Sequence, residues 1–235
     1  MTETARLSER GSCSLDDPKV QGVLAHLHRE SRSLSEGLRV AREFGYYFLD
    51  KVLRRHISVQ EEAARLKTTY ISLSAKQGKF AYLVARGLRA RRIVEFGTSF
   101  GISTIYLAAA LRDNGGGTVI GTEIEPTKVL AARANLEAAG LGEYAEIREG
   151  DARETLKNPG LPVDMVLLDG FKELYLPILK LLTPHLRPGA VVLGDNIFTF
   201  RIALAPYVAY VTNPANGFLS LTLFLGDGTE YSVKL

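Results

Sequence analysis

The chain has 235 residues, 46% hydrophobic and 23% charged, with a net charge of +3. That make-up belongs to an ordinary globular protein, one large domain or one domain with an appendage. So mild a charge gives no reason to expect a nucleic-acid partner, whose readers concentrate their cations, and the single cysteine, Cys13, excludes an internal disulfide and a cysteine metal cluster.

Residues 1–15 are polar and are expected to be disordered, with Cys13 an exposed thiol. The opening stretch, MTETARLSER, has no signal-peptide core. No apolar run reaches the ~18 residues that span a bilayer. These features predict no membrane partner and a cytoplasmic location. From about Asp16 to His56, apolar positions such as Val20, Val23, Leu24 and Leu27 recur at helix spacing. Ser58-Val-Gln-Glu61 is a capping-box pattern that starts a further helix. Residues 16–66 are therefore expected to form a helical segment, a lid or dimerisation element. The densest basic run, Arg86, Arg89, Arg91 and Arg92, reads as the cationic end of a helix, with a binding patch as the alternative.

After that the rhythm changes. RIVEF (92–96) is a predicted strand and STIYLAAALRD (103–113) a helix ending in Asn114-Gly-Gly-Gly117. TVIGTEI (118–124) is a strand. A helix follows over 126–140, with Pro126 near its first turn and Gly140 after its last. YAEIREG (144–150), VDMVLLDG (163–170) and AVVLGDN (190–196) are strands, the last two of them almost wholly apolar, as when both faces are covered. YLPILKLLTPHL (175–186) is a helix. FLSLTLFL (218–225) and TEYSVKL (229–235) flank Gly226-Asp-Gly228 as a β-hairpin. Alternating strands and helices predict an α/β fold, a doubly wound and mostly parallel seven-stranded sheet that ends in an antiparallel hairpin.

The stretch VEFGTSFGIST (94–104) poses a question. Glu95 sits inside an apolar strand, where an unpaired charge is costly, so it needs a partner. Gly97 and Gly101 let the backbone approach a ligand closely, at the carboxyl end of a strand where open α/β sheets bind ligands. The spacing G-x-x-x-G, with Phe100 inside it, fits the dinucleotide fingerprint G-x-G-x-x-G poorly. That counts against a nicotinamide dehydrogenase. Glu123 ends the second strand about 20 residues on, where an acid binds ribose hydroxyls. Asp169 ends the fourth strand, and Asp195 and Asn196 end the fifth. Neighbouring parallel strands bring these oxygen donors together, a set suited to a hard divalent cation such as Mg²⁺. Blander readings stand beside these. Glu95 would cap a neighbouring helix, strand-end aspartates often cap helices, and Lys172 would be a surface lysine. His26, His28, His56 and His185 lack matching partners and read as structural or solvated.

The same stretch resembles motif I of the class I S-adenosylmethionine-dependent methyltransferases. From about Tyr70 onward the chain is similar to the small metal-dependent O-methyltransferases, the catechol and caffeoyl-CoA group and their bacterial relatives. The resemblance implies a methyltransferase domain over 67–235, with S-adenosylmethionine as methyl donor. Glu95 and the turn Gly97, Thr98, Ser99 to Gly101 would line its methionine end, and Ser103 would bond its carboxylate. Glu123 would bind the ribose, Ile124 would pack on adenine, and Asp151 with Ala152 would meet the adenine edge. Ser72 and Leu73 would close over it. Asp169, which also neighbours the cofactor, would hold Mg²⁺ with Asp195 and Asn196, and Lys172 would be the general base.

The implied partner is a small hydroxylated acceptor, and relatives commonly form homodimers. Two departures limit the likeness. Gly170 stands where some relatives carry a larger side chain. Phe218–Thr222 has no acid where catechol-type enzymes use a glutamate, leaving Ser220 or Thr222 as substitutes. Ile197-Phe198-Thr-Phe200-Arg201 is expected near the acceptor. Competing readings are a metal-independent methyltransferase acting on nitrogen, carbon or a macromolecule, and a non-catalytic cofactor-binding scaffold.

Overall fold

The computed structural model describes residues 13–53, 55, 58–70 and 73–235. Its helices α1 (Pro18–Ser31), α2 (Leu34–Val52), α3 (Val59–Arg65) and α4 (Ala75–Gly87) precede the sheet. Then strand and helix alternate: β1 (Arg92–Phe96), α5 (Ile102–Asp113), β2 (Thr118–Glu123), α6 (Pro126–Ala138), β3 (Ala145–Glu149), α7 (Ala152–Thr155), β4 (Val163–Leu168), α8 (Tyr175–Leu182) and β5 (Leu186–Gly194). Helix α9 (Arg201–Thr212) and the hairpin strands β6 (Phe218–Leu223) and β7 (Thr229–Lys234) complete it.

The seven strands lie in the order β3-β2-β1-β4-β5-β7-β6. The first five are parallel, and β7 and β6 run antiparallel. This is the predicted sheet. The chain moves outward from β1 through β2 to β3, then returns to the other side of β1 as β4. The switch point therefore lies between β1 and β4, where such folds bind ligands.

Every residue of β4 is buried, which explains a run that is apolar but for Asp164. Helix α5 is buried from Ile102 to Leu111. A helix apolar all round must be covered all round. The sheet covers one side, and α4 and α1 cover the rest through Ala81, Ala85, Val20, Leu24 and Leu27, in one apolar cluster with Ile105 and Leu107. Helix α1 is thus part of the domain core, which is a tighter union than the expected boundary at residue 66 implies.

The expectation of a disordered tail fails at its end. Residues 1–12 lie outside the described residues, but Ser14–Asp16 form a 3-10 turn. The Ser14 amide donates to Asp113 (2.9 Å), Arg112 Nε donates to the Ser14 hydroxyl (2.6 Å) and Tyr82 donates to Asp113 (2.6 Å). These contacts pin the chain to the end of α5. Cys13 is accordingly half-buried, its Sγ 3.4 Å from the Tyr82 hydroxyl, and not an exposed thiol.

The capping box at Ser58 and Glu61 forms as read. A second box, Ser74 with Gln77, starts α4. Arg86 does close α4. No helix among the described residues is long and apolar enough to cross a membrane.

Candidate active site

Past the strand ends, backbone bonds carry the ladder into the loops. The amides of Gly97 and Thr98 donate to Thr122 O (3.2 and 3.1 Å), Asp169 N to Phe96 O (2.9 Å), Asp195 N to Leu168 O (3.1 Å) and Gly150 N to Glu123 O (2.9 Å). The sheet itself thus sets the mutual register of the loops that hold the sequence-predicted residues. They surround an open cleft of about 1200 Å³, counting its mouth. Gly97, Ser99, Glu123, Ile124, Asp151 and Ala152 line it, as do Asp169, Lys172, Asn196 and Phe200. Val40 and Glu43 of α2, with Val59, Ala63 and Leu66 of α3, contribute a further wall. The N-terminal helices therefore do reach the cleft.

Glu95 has its partners. It is fully buried, and its Oε2 accepts from Thr98 Oγ1 (3.0 Å) and Thr104 Oγ1 (2.5 Å). Burial pushes its pKa up, and the hydroxyls of Ser103, Thr104 and Thr98 pull it partly back. Its Oε1 has no partner. Ser103 is buried near this carboxylate. Glu95, Thr98, Gly101, Ser103 and the buried Leu73 stand behind the cleft wall and do not line it. Ser72 lies outside the described residues, as does His56.

The motif loop is tightly wound. Gly97 has φ +96°, and a Cβ there would meet Asp169 O at 2.7 Å. Ser99 also adopts a left-handed φ of +49°, an uncommon state for a residue with a side chain. Its buried hydroxyl has no protein partner among the described residues, and the residue lines the cleft. Phe100 stacks on Tyr70 at 4.0 Å and 13°, with the Lys128 ammonium 5.4 Å from its centroid. Glu123 Oε2 accepts from Ser99 N (2.8 Å), and Oε1 accepts from Ile124 N and Glu125 N (2.9 Å each). Three amides fix this carboxylate at the cleft while leaving it lone pairs to spend. Glu125 is the cap of α6. Asp151 caps α7 and pairs with Arg153 at 2.5 Å.

Elsewhere along the cleft, Lys172 Nζ donates to Asn196 Oδ1 (2.7 Å) and Tyr175 OH (3.0 Å) and lies 3.4 Å from Asp169 Oδ1. The rings of Tyr175 and Phe200 flank it at 5.1 and 5.5 Å. The side chains of Lys172 and Asp169 are only 10% and 6% exposed, which removes the surface-lysine reading. Asn196 holds φ +65°, a strain that persists where the surroundings over-determine it. Burial pushes both Asp169 and Asp195 above the usual carboxylate range. Lys172 draws Asp169 back, while Asp169 raises Asp195 further. Two buried carboxylates and an amide beside one ammonium form a donor set short of positive charge, and that chemistry fits a hard divalent cation.

Of the two expected aromatics, Phe200 faces the cleft, whereas Phe198 packs on Phe224 at 5.3 Å. Ser220 and Thr222 are not free for a ligand. Both hydroxyls donate to Glu230, a fully buried acid on β7, the Thr222 bond at 2.5 Å. Sequence reasoning missed Glu230, Gln77 and Tyr175. The Ser-x-x-Gln capping pattern could have flagged Gln77, and the three-residue step from Lys172 could have flagged Tyr175. His28 is half-buried with Nε2 3.1 Å from the Tyr106 hydroxyl, so it is structural as expected.

Residues 94–197 match a methyltransferase domain family. The chain is 38% identical over 128 residues to the catechol O-methyltransferase of Mycobacterium tuberculosis, covering 54% of this chain and 57% of that one. It is 36% identical over 131 residues to the catechol O-methyltransferase of Niastella koreensis, covering 54% and 58%. It thus spans somewhat more than half the length of these curated relatives. Among solved structures, it is 26% identical to the O-methyltransferase from Bacillus cereus in complex with S-adenosylhomocysteine, with a TM-score of 0.65 over 80% of this chain and 96% of that one. It is equally similar, 26% with TM-score 0.65 over 80% and 94%, to an O-methyltransferase from Streptomyces achromogenes involved in tomaymycin synthesis, in complex with S-adenosylmethionine. The matched segment resembles a methyltransferase domain, and the fold is similar to that of these O-methyltransferase structures. The chain's likeness runs to the catechol and caffeoyl-CoA O-methyltransferases.

Proposed function

We propose that this protein transfers the methyl group of S-adenosylmethionine to a hydroxyl of a small aromatic or vicinal-diol acceptor, giving S-adenosylhomocysteine, with Mg²⁺ held by Asp169, Asp195 and Asn196. The observation that carries the reading is the cluster of Asp169, Lys172, Asn196 and the buried Asp195, set against the cleft that the methyltransferase loop borders. Support for the donor's place comes from Glu123, Ser99, Asp151 and Ala152 along the cleft, and from the unpartnered Ser99 hydroxyl.

A divalent cation, when bound, supplies the charge that lowers the pKa of the acceptor hydroxyl. Lys172 in its neutral amine form would take the hydroxyl proton at Nζ and become the ammonium, held by Tyr175 and Asn196. Phe200 and Leu174 would bound the acceptor, and Val40, Val59, Ala63 and Leu66 would exclude water. Holding donor and acceptor together in one cleft would contribute to the rate enhancement by positioning them. A homodimer belongs to the reading, supported by the exposed apolar residues Leu34, Leu38 and Leu49 on α2 and Leu53 just after it. A monomer by light scattering would remove it.

One observation favours a second reading. The Lys172 ammonium already bridges Asp169 and Asn196, an internal cation that suits a metal-independent transferase. Labelled S-adenosylmethionine and a panel of catechols, caffeoyl esters, flavonoids and hydroxylated polyketides, each with Mg²⁺ or excess EDTA, separates the two. Turnover that requires Mg²⁺ supports the first reading. Turnover indifferent to EDTA supports the second. No turnover with any acceptor counts against the proposed acceptor class.

A further inference from the structure

Gln77 is buried at the start of α4, 118 residues from Asp195 in the chain, and its Nε2 donates to Asp195 Oδ1 at 2.6 Å. The other half of the same amide is occupied as well. Oε1 accepts from Ser74 N (3.1 Å) and Ser74 Oγ (2.8 Å). A carboxamide turns as one plane, so the capping box that holds Oε1 also aims the NH₂ at Asp195. The turn between β6 and β7 closes over this amide. A Cβ on Gly226 would come within 2.2 Å of the Gln77 carboxamide carbon. The same turn holds the segment after Asn196, with Ile197 N and Phe198 N donating to Gly228 O (3.1 Å) and Asp227 O (3.0 Å).

From this we infer that Gln77 is a positioning residue for the cation site: it fixes the orientation of the Asp195 carboxylate through a buried bond that the helix cap and the hairpin turn both brace. With Oδ1 engaged, the carboxylate cannot rotate without breaking a buried hydrogen bond. Partners of this kind orient a ligating carboxylate, and losing one commonly costs 10–100-fold in metal affinity. The inference rests on the reading of Asp195 as a cation ligand.

The test measures Mn²⁺ binding by paramagnetic resonance in the full chain saturated with S-adenosylhomocysteine, for wild type, Gln77→Leu and Ser74→Ala. Both variants break the capping box, but only Gln77→Leu removes the donor to Asp195; in Ser74→Ala the backbone amide of residue 74 and the hairpin turn still hold the Gln77 carboxamide. The expected result is Mn²⁺ affinity lowered by about tenfold in Gln77→Leu and changed by less than about twofold in Ser74→Ala, with circular dichroism unchanged in both. Equal Mn²⁺ affinity in Gln77→Leu and wild type would overturn the inference alone. An equal loss in both variants would make Gln77 a helix cap only and overturn it too. A wild type that binds no Mn²⁺ would overturn the cation site and this inference with it.

Discussion

Thr104, in the first turn of α5, donates its hydroxyl to Glu95 Oε2 across the start of the sheet–helix connection, and Thr98 donates to the same oxygen from the loop between them. The carboxylate thus ties strand, loop and helix together from inside. Glu95→Leu leaves two buried hydroxyls without an acceptor, which costs about 1–3 kcal/mol for each unsatisfied group. Urea unfolding should show that loss, and calorimetry should show weaker S-adenosylhomocysteine binding. Glu95→Gln keeps an acceptor oxygen and should lose less of both. Equal stability of Glu95→Leu and wild type would show that the cage is not structural.

Gly97 is the tightest point of that loop. Its φ of +96° and the 2.7 Å approach of a would-be Cβ to Asp169 O leave no room for a side chain. Gly97→Ala must either strain the loop by roughly 1–3 kcal/mol or push the end of β4 away. Either displaces Asp169 relative to the motif loop, and misplacement of that size reduces turnover by on the order of 10²-fold. Turnover against S-adenosylmethionine in Gly97→Ala checks this, and the ordinary far-ultraviolet spectrum of a folded domain should persist.

Much of this architecture was legible beforehand. RIVEF became β1 residue for residue, because Ile93, Val94 and Phe96 carry the apolar signal of a buried strand even with Glu95 among them. Helix α9 was not foreseen. Pro206 lies in its interior and its apolar residues show no clean stripe, so neither periodicity nor propensity announces it. At the site, strand ends predicted that Asp169, Asp195 and Asn196 would meet, since register is a local property of the sheet. The donors to them were hidden. Gln77 reaches Asp195 over 118 residues, and no local pattern encodes so distant a contact. Ser220 and Thr222 were misjudged for the same reason, because their partner Glu230 sits on the neighbouring strand.

Asp195 is buried beside the cleft yet does not line it. Asp195→Ala should therefore abolish Mg²⁺-dependent turnover while S-adenosylhomocysteine binding stays within a few-fold of wild type. Isothermal titration and an acceptor assay on one preparation separate the two effects. Unchanged activity would remove Asp195 from the cation site.

Asp164 supplies a test away from the cleft. Burial alone would raise its pKa, but the Arg187 guanidinium (2.6 Å) and the backbone amides of Arg91 (2.7 Å) and Arg92 (2.9 Å) outweigh burial and hold it below the usual carboxylate value. These bonds join β4 to the starts of β1 and β5, at the side of the sheet opposite the cleft. A carboxylate whose folded pKa is depressed stabilises the fold fully above its unfolded pKa, about 3.9, and loses that contribution as pH falls through the lower folded value. Asp164→Asn should therefore be less stable than wild type at pH 7, and the gap should narrow progressively below about pH 4. Chemical unfolding of both proteins across pH 7 to 2 measures it. A gap that stays constant over that range would mean that the carboxylate's charge contributes nothing to holding the strands together.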